Sequence, residues 1–246
     1  TINHIGEAAF SGCTALRSID LPSSIKRIEG QVFYHCSSLV SVNIPDGITH
    51  LGNNAFTGCQ SLLGIVIPNS VTSIGKEVFR DCKSLTKMII PNSVTELGEG
   101  MFWQCSSLDS VSISTGLTTL TRGTFTHCTA LRNMVVPQNI THVGDYTFYG
   151  CTNLDTIVFY NSNTTFDKCA FEYYSYEYDA IYQFNSIEEC CSNQITKNMT
   201  DINTYPNRIY YVNGERLSKD LVIPEGIDTI APLALAYTDQ FKSIAI

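Results

Sequence analysis

The chain has 246 residues, a formal net charge of -8 at pH 7 and an isoelectric point near 5.0. Nucleic acids and anionic membranes bind clustered Lys and Arg, so this acidic balance argues against both as partners. No run of about 18 apolar residues occurs, which argues against a membrane-spanning helix.

Cysteine marks an internal repeat that begins at the first residues of the chain. A phenylalanine stands three residues before each repeating cysteine, and a leucine stands three residues after it. Seven of the ten cysteines share this pattern and follow one another at intervals of 23 residues: Cys13, Cys36, Cys59, Cys82, Cys105, Cys128 and Cys151. We therefore assign residues 1–159 to seven copies of one 23-residue unit.

The copy at residues 85–108 predicts the structure of each unit. Apolar residues alternate over 85–90 and end at Pro91, which predicts a short strand. Residues 94–97 are rich in β-branched and apolar side chains and predict a second short extended segment. Phe102 and Cys105 are three residues apart, a spacing that predicts one helical turn aiming both side chains at an interior. Stacked units would convert each apolar column into a continuous core, with parallel strands about 4.8 Å apart.

These columns resemble the BspA-like leucine-rich-repeat family, whose unit runs approximately LxxIxIPxxVxxIGxxAFxxCxx. The resemblance covers residues 1 to about 160 and returns at 221–227. It implies an α/β repeat solenoid, a right-handed leucine-rich-repeat coil with short parallel strands and short helical turns. It also implies a secreted or cell-surface protein that acts in adhesion and in binding host proteins, without naming a ligand.

The period decays over residues 160–219, which we assign to a degenerate repeat, an irregular segment and a hairpin. Phe166 and Phe171 still fall on the isoleucine and phenylalanine columns, and an aromatic cluster follows over 171–184. Ser186 and Glu189 have capping-box spacing. Asn213-Gly214 favours a type I′ hairpin, which we expect to interrupt the stack. Residues 220–246 form a final, incomplete repeat, so we expect the chain to be a fragment of a longer protein.

Few residues in the sequence suggest chemistry. His35 and His127 each precede a repeating cysteine, but four coils would separate them by about 19 Å, too far to share a metal ion. The cysteine column is open to a disulfide, a free-thiol or a packing interpretation, of which we favour packing by a small apolar side chain. Cys169, Cys190 and Cys191 lie outside the column, and the sequence leaves open one bridge among them. No hydrolase, metalloprotease or nucleotide motif occurs, so we predict no enzyme, no metal and no cofactor.

The outer face of the strands is the predicted contact surface. Outward positions there are mostly small, apolar and uncharged, which suits an extended interface but also suits ordinary strand formation. The candidate partner-binding residues are Asp20, Asn43, Val66, Lys87, Ile89, Ser112, Val135 and Val158. Two functions remain open: a module that binds a protein partner through this face, which we favour, and a spacer that holds another domain off a cell surface. The aromatic cluster is open to the same choice between contact and packing.

Overall fold

The computed structural model describes residues 2–161, 164–167, 169–171, 179–184, 207–217, 219–223, 225–227, 230 and 240–245. These residues form a β-solenoid of about eight turns built from short strands. We number the coils from the leucine before each strand, so that coil one is 16–38, coil two 39–61, coil three 62–84, coil four 85–107, coil five 108–130 and coil six 131–153.

Eighteen strands are present in the described part of the chain, most of them two to four residues long. In chain order they are β1 (Ser18–Asp20), β2 (Arg27–Ile28), β3 (Ser41–Asn43), β4 (His50–Leu51), β5 (Ser73–Ile74), β6 (Lys87–Ile89), β7 (Glu96–Leu97), β8 (Ser110–Ser112), β9 (Thr119–Leu120), β10 (Asn133–Val136), β11 (His142–Val143), β12 (Thr156–Phe159), β13 (Thr165–Phe166), β14 (Asp179–Phe184), β15 (Asn207–Val212), β16 (Glu215–Arg216), β17 (Asp220–Val222) and β18 (Ser243–Ala245).

The first ladder contains the predicted parallel strands. β1 pairs with β3, β6 with β8, and β10 with β12, each with a register shift of one repeat, as in Ser18 opposite Ser41. The second residue of each of these strands points inward and its neighbours point outward, as the alternation in the sequence predicts. Coil three is an exception, because residues 64–66 form no strand. Gly64 explains the gap, since glycine lacks a side chain to pack and weakens a strand.

The second ladder follows the predicted second extended segment. β2, β4, β5 and β7 form one parallel sheet, and β9, β11 and β13 form another. Each strand has two residues, of which the second is buried, including Ile28, Leu97 and Phe166. Phe166 pairs with Val143 across the sheet, so the predicted position of Phe166 in the isoleucine column is confirmed.

The predicted helical turn around Phe102 and Cys105 is wrong, and no described residue is helical. Two columns of left-handed residues run through this segment in coils one to six; in coil four they are Gly100 (φ 66°) and Gln104 (φ 64°). Positive φ ends a right-handed helix before one turn is complete. Alternate amides also bond to the next coil, as when Phe102 N donates to Thr124 O at 2.9 Å. The remaining amides close tight turns, as when Cys105 N donates to Phe102 O at 3.0 Å.

The phenylalanine column forms the centre of the core. Eight rings stack in register from Phe10 to Phe171, with neighbouring centroids 5.2–6.0 Å apart and interplanar angles of 5–15°. The six rings from Phe33 to Phe148 have no solvent-exposed surface. Such offset stacking is the favoured geometry for aromatic pairs and adds to the hydrophobic effect of burial.

The cysteine column lies beside the rings as free thiols. Six thiols donate to the phenylalanine carbonyl of the preceding coil, as Cys82 Sγ does to Phe56 O at 3.2 Å. Burial raises the pKa of each of these thiols, that of Cys151 to about 12. The column therefore fills a tight space, as we favoured, and also joins successive coils through weak hydrogen bonds. Cys13 is exposed, Cys169 is half-buried, and Cys190 and Cys191 lie outside the described residues.

The predicted hairpin is present at the C-terminal side of the stack. β15 and β16 are antiparallel, and their turn places Asn213 at φ 52° and Gly214 at φ 82°. β15 continues the parallel ladder, because it pairs with β14, which in turn pairs with β12. The antiparallel β16 is the last strand of this sheet, so the ladder ends at the hairpin, before residues 220–246. β17 and β18 form a separate parallel pair with its own small apolar cluster. The predicted capping box lies outside the described residues, as does most of the 171–184 cluster; Phe171 and Phe184 are buried.

Candidate protein-binding surface

The outer positions of the first ladder form a solvent-facing surface. Of the predicted residues, Asp20, Asn43, Lys87 and Ser112 are exposed, and Val158 is half-buried. The apolar side chains at Val66, Ile89 and Val135 are 82%, 70% and 49% exposed, respectively. An isoleucine or valine with most of its surface in water gains little from folding, so these positions contribute little to the stability of the solenoid.

The structure adds two exposed apolar residues that the sequence analysis did not select. Val40 is 39% exposed and Leu63 is 59% exposed, and both stand in the column that directly precedes the strands. Together with Val66 and Ile89 they place four exposed apolar side chains on coils two to four, a set that we call the Leu63 patch. The 23-residue spacing of Val40 and Leu63 is the signal that would have identified them.

A shallow groove of about 1000 Å³ runs along this face from coil one to coil five. Its middle is the strand gap of coil three. Within the described residues, no backbone hydrogen bond joins residues 64–67 to coil two or coil four; the nearest is Leu63 N to Val40 O at 3.4 Å. Peptide groups in this part of the groove therefore remain open to hydrogen bonding from solvent or from a partner chain.

Charged side chains lie mainly at the margins of this surface. Asp20 and Asp46 border the groove at its first coils, and Lys87 projects beside Ile89. Farther along the face, Arg132 and Asp155 pair at 3.8 Å, with each side chain 68% exposed. An apolar centre surrounded by polar residues is the usual composition of a protein interface.

The buried thiols of the cysteine column are poorly reactive, and the histidines beside it make packing contacts. A buried thiol with a raised pKa carries almost no thiolate at neutral pH and is a poor nucleophile. His35 and His127 instead cover the glycines of the next coil: a Cβ added at Gly58 or Gly150 would meet their rings at less than 3 Å. His50 Nδ1 contacts Ser73 Oγ at 2.7 Å. Across the described ranges, no group of three or more His, Cys, Asp or Glu side chains has metal-binding geometry.

Comparison with known proteins identifies relatives of this repeat. The profile of the family described as BspA type Leucine rich repeat region matches six copies, over residues 1–65 and 52–177. No curated protein matches the chain significantly. None of the described segments forms a helix that is long and apolar enough to cross a membrane.

Three solved structures are similar to the chain. The T. pallidum Leucine Rich Repeat protein is 37% identical over 61% of this chain and 70% of its own, with a TM-score of 0.57. A leucine-rich repeat protein from Bacteroides ovatus ATCC 8483 is 24% identical over 98% of this chain and 66% of its own, with a TM-score of 0.67. A leucine rich cell surface protein from Faecalibacterium prausnitzii A2-165 is 24% identical over 67% of this chain and 59% of its own, with a TM-score of 0.45.

Proposed function

The chain belongs to the BspA-type leucine-rich-repeat family, and from this premise we propose that it is a non-catalytic module that binds a protein partner through the strand face. The observation that carries the proposal is the Leu63 patch. Four apolar side chains are 39–82% exposed there, in coils whose inward strand positions are buried or half-buried. Exposed apolar clusters of this kind mark interaction sites more often than scattered surface residues do.

The groove beside the patch favours an extended contact over a small-molecule pocket. It is shallow, crosses five coils and includes the unpaired peptide groups of coil three. A protein segment lying along it can place apolar side chains against Val66 and Ile89 while its backbone bonds to those peptide groups. An interface of standard size would bury about 1,200–2,000 Å² in total.

We also propose that the module acts outside the cell or at its surface, as the family resemblance implies. Matrix and cell-surface proteins of a host are then the partners to test first. The alternative function, a spacer, makes use of the continuous stack of coils but does not depend on the identity of the residues at Val66 or Ile89.

Charge introduced into the patch tests the proposal. Ile89→Glu places a carboxylate in the centre of the apolar surface, and we expect at least a tenfold loss of affinity, about 1.4 kcal/mol. Thr118→Glu is the matched control, because Thr118 is also exposed but borders β9 in the second ladder. Both variants should melt close to the parent, since neither side chain is part of the core.

The assay is surface plasmon resonance of the parent and both variants over immobilised matrix proteins and receptor ectodomains. Binding by the parent and by Thr118→Glu, with loss in Ile89→Glu, supports the strand face. Equal binding by all three would show that another surface is used. Absence of binding by the parent across the panel would favour the spacer.

A further inference from the structure

A second concavity lies on the face formed by the turns, away from the strand face. It is a cleft of about 680 Å³ that crosses coils three to six. This volume falls within the range of about 300–1,000 Å³ that is usual for small-molecule sites. The cleft does not include any residue of the Leu63 patch, so the proposed protein-binding function does not account for it.

The cleft exists because two glycines follow one another in a column that otherwise carries side chains. Glu77, Gly100, Gly123 and Tyr146 occupy equivalent positions in successive coils, all with φ between 53° and 67°. The two glycines leave a notch between the Glu77 and Tyr146 side chains. A Cβ built on Gly100 would lie 3.1 Å from Glu77 Cγ and 3.5 Å from Trp103 Cε3, so even a methyl group would enter the notch.

One wall of the cleft is Trp103, the single tryptophan of the chain. The Arg80 guanidinium lies over the Trp103 ring at 4.6 Å from its centroid, and Arg80 is itself held by Glu77 at 2.9 Å. This chain of contacts fixes the indole before any ligand arrives. A preordered aromatic wall loses little conformational entropy on binding.

The opposite wall is built from two tyrosines. Tyr146 and Tyr149 meet edge to face, with centroids 5.8 Å apart and an interplanar angle of 83°. The Arg122 guanidinium lies 5.2 Å from the centroid of the Tyr146 ring. Aromatic rings therefore line the notch at both ends, with the Arg80 guanidinium over Trp103 and the Arg122 guanidinium over Tyr146.

Both carboxylates of the cleft are paired with cations. Glu77 accepts from Arg80 at 2.9 Å and Glu99 accepts from Lys76 at 3.3 Å, while Arg122 also lines the cleft. An anionic ligand would meet the two carboxylates, and a cationic ligand would meet the two guanidinium groups. A neutral ligand with several hydroxyl groups can donate to the carboxylates and accept from the guanidinium groups at the same time.

We infer that this cleft binds the neutral pyranose rings of a glycan. A pyranose ring has an apolar face of C–H groups, which can stack on Trp103 or Tyr146, and it has a rim of hydroxyls within reach of Glu99 and Arg122. Aromatic walls with a few well-placed polar groups are the usual composition of a small-ligand site. The inference is independent of protein binding at the strand face.

Tryptophan fluorescence tests this inference directly, because Trp103 is the only indole in the protein. The parent is titrated with lactose, maltotriose, mannotriose and triacetylchitotriose as neutral probes, and with N-acetylneuraminic acid and a lysine-rich peptide as charged probes. We expect a saturable change in emission with at least one neutral oligosaccharide. No saturation with any neutral probe, or saturation only with a charged one, would overturn the inference.

Gly123→Asn is the variant that fills the notch with least disturbance to the fold. Asparagine tolerates positive φ, and Asn54 already occupies the same column, where its Nδ2 donates to Thr57 Oγ1 at 3.3 Å. Thr126 stands in the same relation to Gly123, so the new side chain has a ready partner. We expect at least a tenfold loss of oligosaccharide affinity in Gly123→Asn.

Gly12→Asn is the matched control, since Gly12 also has positive φ, at 72°, and open space around its added Cβ. It should bind like the parent, as should Ile89→Glu. If Gly123→Asn melts well below Gly12→Asn, Arg122→Ala serves as the second variant, because Arg122 is exposed and outside the core. Parent-like binding by a folded Gly123→Asn or by Arg122→Ala would place the sugar elsewhere and overturn the assignment.

Discussion

Replacing Phe79 with alanine is the sharpest test of how this solenoid is held together. The ring has no exposed surface, and it stacks on Phe56 at 5.5 Å and on Phe102 at 6.0 Å. Truncating a buried phenylalanine usually costs about 3–5 kcal/mol, through lost transfer free energy and the cavity left behind. Phe79 has a stacked ring on both sides and rigid neighbouring coils, so we expect the upper part of this range.

Phe10→Ala is the matched control, because Phe10 belongs to the same column but is only half-buried and has one stacked neighbour, Phe33 at 5.6 Å. Burial of about half the ring predicts a cost of roughly 1–2 kcal/mol. Urea denaturation followed by circular dichroism gives both values. If Phe10→Ala destabilises the protein as much as Phe79→Ala, or if Phe79→Ala unfolds like the parent, stacking within the column is not the source of stability.

Two further predictions concern titratable groups. The buried thiols of Cys82 and Cys105 should alkylate slowly in the native protein and rapidly in denaturant, because burial raises their pKa values. Exposed Cys13 should react at once. Mass spectrometry that showed fast native labelling of all three cysteines, or the mass deficit of a disulfide, would contradict this prediction. The pKa of His50 is lowered, first by burial and then by the Arg27 charge, so the unfolded state binds the proton more tightly. The free energy of unfolding should therefore decline as pH falls below about 6.5. The urea midpoint of His50→Gln should decline less than that of the parent over the same pH range.

The repeat, the strand positions and the hairpin were predictable because each rests on a local and periodic signal. The 23-residue columns show which residues share an environment, and the alternation in residues 85–90 shows which of them face inward. Asn213-Gly214 is a pair that readily adopts two consecutive positive φ values, as the turn requires. These signals can be read from the sequence without knowledge of the tertiary contacts.

The turn segment was not predictable from the same evidence. The first left-handed column mixes Asn54, Gly100 and Gly123, which favour positive φ, with Ala8, Gln31 and Glu77, which do not. The three-residue spacing of Phe102 and Cys105 is also compatible with both a helical turn and two consecutive tight turns. Bonds from alternate amides to the next coil decide between them, and a single repeat does not reveal those bonds.

The strand face could be predicted from the sequence more fully than the cleft could. Strand alternation identified Val66 and Ile89, and the same column arithmetic would have identified Leu63. The cleft depends on two conditions: Gly100 and Gly123 are consecutive in one column, and the Trp103 side chain lies next to Gly100. Only the first of these two conditions is visible in the repeat.

Both surfaces include coil four, with Ile89 on the strand face and Gly100 in the cleft. Between them lie Met88 and Phe102, both buried and packed in columns that run through the neighbouring coils. Coupling between two sites requires an element with two alternative arrangements. A stacked ring column with 5.2–6.0 Å spacings is a single close-packed arrangement, in which small displacements are resisted by both neighbours. Occupation of one surface should therefore leave the affinity of the other unchanged. A ligand that carries both a glycan and a polypeptide would bind more tightly than either part alone only because the two parts are covalently linked and can reach both surfaces together.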